Sequence, residues 1–276
     1  MHLISLLFVL RIVPPRKPLR HRLGDTVGEA GRALFEKRLR PLAHVGRRGC
    51  QTEQRGLVLL AVAGRDLPAG GAVVVDLLHA LAQAPGLRVN LVGVAAVSAN
   101  VSDAELDHLA ASGVRGVRMA HFEPGDPRAR GGFVPFSAFD MLEPRLQARG
   151  LHLNLFTDSR LLPALANRLA RATVPVVIDH MGRVDTELGM QHADFQALCR
   201  LLDDPKFHVK VSGIDRIQAR VPLTTPPYTQ GREFARFLVA RFPQQCVWGT
   251  DWPHPNLKDH MPDDGLLVDF IPQIAV

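Results

Sequence analysis

One carboxylate stands in the run CVWGTDWPHPN, residues 246–256, between two tryptophans and two prolines. It is Asp251, and it follows directly on an apolar, strand-like stretch. Pro253 steers residue 252 away from the helical region, so an ordinary helix start is disfavoured there. The flanks predict a stiff loop that holds one carboxylate in place, a suitable device for a general base. A second candidate is His180 in VVIDHMGR, which again follows an apolar run. A histidine there serves as metal ligand, oxyanion donor or packed core residue, and the ring alone does not choose among them. Asp179 points to the opposite side on a continuing strand and reads as structural. Arg118, Asp158, Lys210, Ser212 and Arg216 also fall at or just after the ends of apolar runs. Each alone is explained by strand ends meeting solvent. As a set they point to one shared mouth.

The elements that must position them alternate strictly. The stretch LRVNLVGVAAV is strand-like. SDAELDHLAASG is helical, with Ser102 and Glu105 at capping-box spacing and Gly113 where a helix-ending glycine belongs. VRGVRMA, LHLNLFT, VPVVID, FHVKVS and CVWGT are strands, and amphipathic helices separate them. A further helix is expected over residues 76–86, and one after Asp263 or Asp264 as its N-cap. From Leu87 onward this gives six strands, which predicts a parallel sheet wrapped by helices. An open doubly wound sheet and a closed barrel both fit. No glycine-rich nucleotide turn follows an early strand, and that favours the barrel. In a (β/α) barrel the C-terminal strand ends carry the active site, which is where these polar residues fall.

The chain has 276 residues, 46% hydrophobic and 22% charged, a composition of packed domains rather than disordered chains. Its net charge of +6 is unevenly placed. Residues 1–70 hold 13 Lys and Arg against 5 Asp and Glu, and the remainder holds 20 against 22. The division predicted is therefore an atypical basic segment, 1–70, and a barrel domain, 71–276. The basic segment lacks the interleaved aromatics of a single-strand-binding surface, so no nucleic-acid partner is expected. LISLLFVL is too short to span a bilayer and lacks the flanks of a signal peptide, so no membrane partner is expected. Three scattered cysteines without a C-x-x-C predict a reducing, cytoplasmic setting.

VVIDHMGR, KVSGIDR and VWGTDWPHPNLKDHMPDDGLLVDFIP together resemble the amidohydrolase-related TIM-barrel hydrolases. Within them the likeness is strongest to the lactonases of 2-pyrone-4,6-dicarboxylate, over roughly residues 72–274. The resemblance implies a (β/α)8 TIM barrel. It implies a hydrolase that opens a pyrone dicarboxylate lactone in aromatic catabolism, with no cofactor and no bound metal. Carried over, Asp251 activates the hydrolytic water and His180 stabilises the oxyanion. Arg118 and Arg216 match arginines that bind the substrate carboxylates, and His254 joins the substrate-binding candidates. Planar, permanently charged guanidinium groups suit a dianionic ligand.

The departures from the family pattern are specific. None of the 12 histidines forms the H-x-H expected at the end of the first strand. Pro124 stands where a substrate arginine is expected, with Arg128 and Arg130 nearby as substitutes. Phe156 replaces a tyrosine. Family members continue beyond the equivalent of Val276, so the barrel is expected to be irregular at its N-terminus and truncated at its C-terminus. The charge break and the missing H-x-H motivate the hypothesis that residues 1–70 derive from a shifted reading frame. Sequencing the neighbouring DNA tests it, and absence of an H-x-H in another frame would sink it. Two other functions stay open. One is a metal-dependent hydrolase or decarboxylase with the metal on His180 and Asp251. The other is an inert barrel that serves as a binding module. The oligomeric state is not legible.

Overall fold

Strand–helix alternation governs the molecule from residue 91 on. The computed structural model describes residues 5–11, 58–63, 91–126, 134–217, 227–251, 254 and 262–275. Two early strands come first, β1 (Ser5–Arg11) and β2 (Val58–Ala63). Then β3 (Leu91–Ala95), α1 (Asp103–Ala111), β4 (Val114–His121), the two-residue β5 (Val134–Pro135) and α2 (Phe139–Gln147) follow. After them come β6 (His152–Thr157), α3 (Leu162–Ala170), β7 (Val176–Ile178), α4 (Ala193–Leu202) and β8 (Phe207–Val211). The chain closes with α5 (Thr229–Arg241), β9 (Cys246–Trp248), α6 (Asp264–Asp269) and α7 (Ile271–Ile274).

The six strands expected after Leu87 are present as β3, β4, β6, β7, β8 and β9. The local signals act as expected. The Ser102 side chain accepts from the Glu105 amide at 3.1 Å, and Gly113 takes φ 97 just past the helix end. Asp263, not Asp264, caps α6, accepting from the amides of Gly265 and Leu266 at 2.7 and 3.2 Å. The helix expected over residues 76–86 lies outside the described residues, as do Arg128, Arg130 and most of the basic segment.

Eight strands pair in a closed ring, in the order β1, β9, β8, β7, β6, β4, β3, β2 and back to β1. From β2 round to β9 every neighbour is parallel. β1 is antiparallel to both β2 and β9. The protein is therefore a (β/α) TIM barrel, and its irregularity at the N-terminus is a reversed first strand. β5 pairs with the upper part of β4, beside Met119 and Ala120.

Successive side chains on a strand face opposite sides. One set, Val117, Met119, Leu153, Leu155, Val176, Ile178, Val209, Val211, Cys246 and Trp248, is buried in a single apolar cluster with the helices. The other set faces the barrel interior and includes several buried polar residues. Arg118, Asn154, Asp179 and Lys210 come from four successive strand positions and meet one another there. The usual interior of a small parallel barrel is layered Val, Ile and Leu. Here charge replaces part of that filling directly beneath the site.

Candidate active site

His180, Asp251 and Arg216 arise where strands run out, whereas Arg118 lies within β4 and Lys210 within β8. β7 ends at Ile178, and His180, Met181 and Gly182 then adopt left-handed conformations with φ 51, 52 and 63. Left-handed backbone costs a non-glycine residue roughly 1–2 kcal/mol, so two such residues in succession must be held by their surroundings. Met181 is fully buried and anchors the turn. The consequence is that Asp179 and His180, adjacent in sequence, diverge: Asp179 enters the barrel and His180 turns onto its rim. β9 ends the same way, with Asp251 at φ 67. The His254 amide donates to the Asp251 carbonyl at 2.8 Å and closes a tight turn. Gly213, at φ 67, bends the chain after β8, and the Arg216 amide returns to its carbonyl at 2.9 Å.

These turns bring His180, Asp251 and Arg216 together. His180 Nε2 lies 3.6 Å from Asp251 Oδ1, and Arg216 Nε lies 2.7 Å from Asp251 Oδ2. His180 Nδ1 is 2.9 Å from the Ser212 hydroxyl. Burial pushes the His180 imidazole down to about 4, against the pull of Asp251 and Asp179 and helped by Arg118 and Lys210. The ring is therefore neutral near pH 7. Asp251 as a carboxylate only accepts, which assigns the ring proton to Nε2 and makes Ser212 the donor to Nδ1. The result is an N–H on the rim, next to a carboxylate.

Arg118 lies below this pair. Its Nη2 is 2.8 Å from Asp179 Oδ2, and its guanidinium sits 4.5 Å over the Phe156 ring. Phe156 meets His180 edge-on with centroids 5.6 Å apart, so it forms an apolar floor between Arg118 and His180. Asp179 also holds Lys210 through Oδ1 and accepts from Asn154 at 3.1 Å. Burial alone would raise the Asp179 carboxyl, but Arg118 and Lys210 hold it well below the usual carboxylate range. Burial lowers the Lys210 ammonium against the pull of Asp179.

Other candidates are placed elsewhere. The His254 ring is enclosed, and its Nε2 lies 3.2 Å from Asp264 Oδ1 of α6. Asp158 pairs with Arg183 at 3.2 Å. Pro124 occupies an exposed turn. Two buried polar residues, Asn154 and Asp215, had drawn no attention in the sequence, and Asp264 had been read only as a helix cap. Asn154 was legible as a polar residue at a mid-strand position. Asp264 is the carboxylate beside His254. Asp215, at 1% exposure, has no hydrogen-bond partner for either side-chain oxygen among the described residues. Burial raises its pKa, with Arg216 and His254 pulling it down and Asp251 pushing it up.

The described residues do not by themselves supply a divalent-cation site. His180 and Asp251 are two ligand types, and among the described residues no group of three His, Cys, Asp or Glu is placed to hold a metal. Arg216 already occupies one Asp251 oxygen, and catalytic zinc sites use three protein ligands. Among the described residues no helix is long and apolar enough to cross a membrane.

The chain matches the amidohydrolase family model over residues 60–274. It is 38% identical over 191 residues to a 2-pyrone-4,6-dicarboxylate hydrolase of Comamonas testosteroni, covering 66% of this chain and 60% of that one. It is 34% identical over 182 residues to a 4-sulfomuconolactone hydrolase of Hydrogenophaga intermedia, covering 64% and 57%. The chain thus spans less than two thirds of the length of these curated relatives. Among solved structures, a Pseudomonas putida protein provisionally described as a 2-pyrone-4,6-dicarboxylic acid hydrolase superposes with a TM-score of 0.61. That match has 26% identity over 88% of this chain and 80% of the other. A similarly described Acinetobacter baumannii protein, with citric acid bound, gives a TM-score of 0.56 at 27% identity, over 72% and 70% of the two chains. The parallel strand ring, the site at its C-terminal rim and the match across residues 60–274 agree: the chain belongs to the amidohydrolase family.

Proposed function

We propose that this protein hydrolyses the ring ester of a small carboxylate-bearing lactone, of the 2-pyrone-4,6-dicarboxylate type, without a metal. The observation that carries the reading is the facing pair at the rim, a neutral His180 N–H and the Asp251 carboxylate 3.6 Å apart. An ester hydrolase needs a proton acceptor for water and a donor for the developing oxyanion, both on one side of the carbonyl. Water attacks the lactone carbonyl carbon while Asp251 takes one of its protons. The carbonyl oxygen gains the negative charge and accepts a hydrogen bond from His180 Nε2. The tetrahedral centre then expels the ring oxygen, which takes the proton from Asp251 as the C–O bond breaks. Ser212 keeps the His180 ring in the donating tautomer.

The cations fit the same ligand class. Arg118 and Arg216 flank the pair from below and beside it, and guanidinium groups bind carboxylates in a two-point geometry. The Comamonas and Hydrogenophaga relatives are named for anionic lactones, and the Acinetobacter structure carries citric acid, itself a polycarboxylate. The test is loss of pyrone absorbance on adding 2-pyrone-4,6-dicarboxylate in buffer containing a chelator. Turnover that survives chelation and falls on the order of a hundredfold or more in Asp251→Asn is the expected result. No turnover by the wild-type chain would overturn the reading and leave a binding barrel in its place.

A further inference from the structure

We propose that Arg216 makes the base conditional on the substrate: Asp251 is held by Arg216 at rest and is released when a ligand carboxylate takes the guanidinium. The inference rests on the lactonase reading of the same site and adds a determinant of substrate choice to it.

Two arginine–carboxylate pairs lie at the site, and they are built differently. Asp179 is fully buried and is gripped by Arg118 at 2.8 Å, by Lys210 and by Asn154 at 3.1 Å. Removing any one contact leaves two, and the carboxylate has nowhere to go. Among the described residues Asp251 faces one cation, Arg216, at 2.7 Å, with the neutral His180 ring 3.6 Å from its other oxygen. The Arg216–Asp251 contact is made through Nε, a single-point approach to one carboxylate oxygen. A carboxylate approaching the fork of the guanidinium can form two parallel N–H···O bonds, a stronger arrangement. The Arg216 side chain is 12% exposed, so a ligand entering the mouth reaches it.

Exchange changes the chemistry of Asp251. Paired with Arg216, its Oδ2 is engaged with a positive charge and is a poor acceptor for a water proton. Once the ligand carboxylate neutralises Arg216, that oxygen is free while His180 stays beside the other. A lactone of the right shape that lacks a carboxylate at this position would bind without unmasking the base. Arg216 thus selects carboxylate-bearing lactones in the catalytic step and not only in binding.

The experiment measures binding of pyridine-2,4-dicarboxylate, a planar dianion with no ester to cleave, by calorimetry on the full chain. The proteins are wild type, Asp251→Asn, Arg216→Gln and the double variant, with circular dichroism to confirm folding. If Asp251 competes with the ligand for Arg216, Asp251→Asn binds about tenfold tighter or more, since close charge pairs in interfaces couple that strongly. Arg216→Gln binds more weakly, and adding Asp251→Asn to it gives no further tightening. Should Arg216→Gln fail to fold, Arg216→Lys serves instead, and the Asp251→Asn gain is expected to shrink in that background. Unchanged or weaker binding by Asp251→Asn overturns the proposal. So does tightening that persists undiminished without Arg216, because charge removal alone would then explain it. Wild-type turnover of the pyrone is read separately. Tight binding of the dianion without turnover sinks the lactonase reading and leaves the exchange standing.

Discussion

His180 shows how much a single side chain depends on its surroundings. In water the ring titrates near 6.5, and burial here moves it to about 4. The folded state therefore favours the neutral ring. Its contribution to stability is full above about pH 6.5 and is lost as pH falls through 4. A shift of this size corresponds to about 3 kcal/mol. Unfolding by urea is expected to become easier across that window, and His180→Gln should flatten the slope. His152, pushed down to about 4 by burial and by Lys210, acts in the same direction and leaves a residual slope in the variant. Asp179 gives the other prediction at this scale. Replacing it by leucine would strand Arg118 and Lys210 in the barrel interior without their counter-charge. Breaking a buried pair from one side costs about 3–5 kcal/mol. Chemical denaturation of Asp179→Leu should show a loss of that order, and Asp179→Leu with Lys210→Met should lose less than the two changes added.

At the level of elements, the site depends on helices that never touch it. Gly231 lies in the first turn of α5, and a Cβ there would stand 2.2 Å from the carbonyl oxygen of Ile214. That oxygen is backbone, so α5 or the loop must move. The loop is the one that carries Asp215 and Arg216. Gly231→Ala is expected to cost about 1–3 kcal/mol in stability and to lower pyrone turnover as Arg216 shifts. An unchanged melting temperature in Gly231→Ala would contradict the close approach. The strand β7 shows a second dependence on elements. It is three residues long and wholly apolar in sequence, yet it ends in a left-handed turn that sends Asp179 inward and His180 to the rim.

The whole molecule is closed by a strand of opposite sense. β1 pairs antiparallel with β9 at Leu10 and Arg11, opposite Trp248 and Val247. β9 leads straight to Thr250 and Asp251, so ring closure supports the base. Leu10→Pro removes a backbone donor from that ladder and is expected to lower the melting temperature and turnover together. Retained stability and activity would mean that β9 holds its place by its pairing with β8 alone. The same scale accounts for the charge. The uneven distribution along the sequence says little about the pocket, where Arg118, Lys210 and Arg216 meet Asp179 and Asp251.

By itself the sequence determined the period of the chain. Apolar runs, caps and glycine stops are local signals, so α1, β4, β6 and α4 were legible to within about two residues, and the cap of α6 was narrowed to Asp263 or Asp264. The placing of Asp251, His180 and Arg216 after apolar runs was legible too, because strand ends in a parallel barrel share one rim, but Arg118 sits inside β4 and faces the interior. What sits opposite each of these residues was decided only by the tertiary structure. The Arg216–Asp251 pair joins the ends of two strands, and the Asp179 cluster joins four. Such partnerships depend on strand register and on left-handed turns set by packing, and no spacing in the sequence encodes them. The enclosure of His254 against Asp264 was hidden for the same reason, since its neighbour comes from a helix that folds back over the turn.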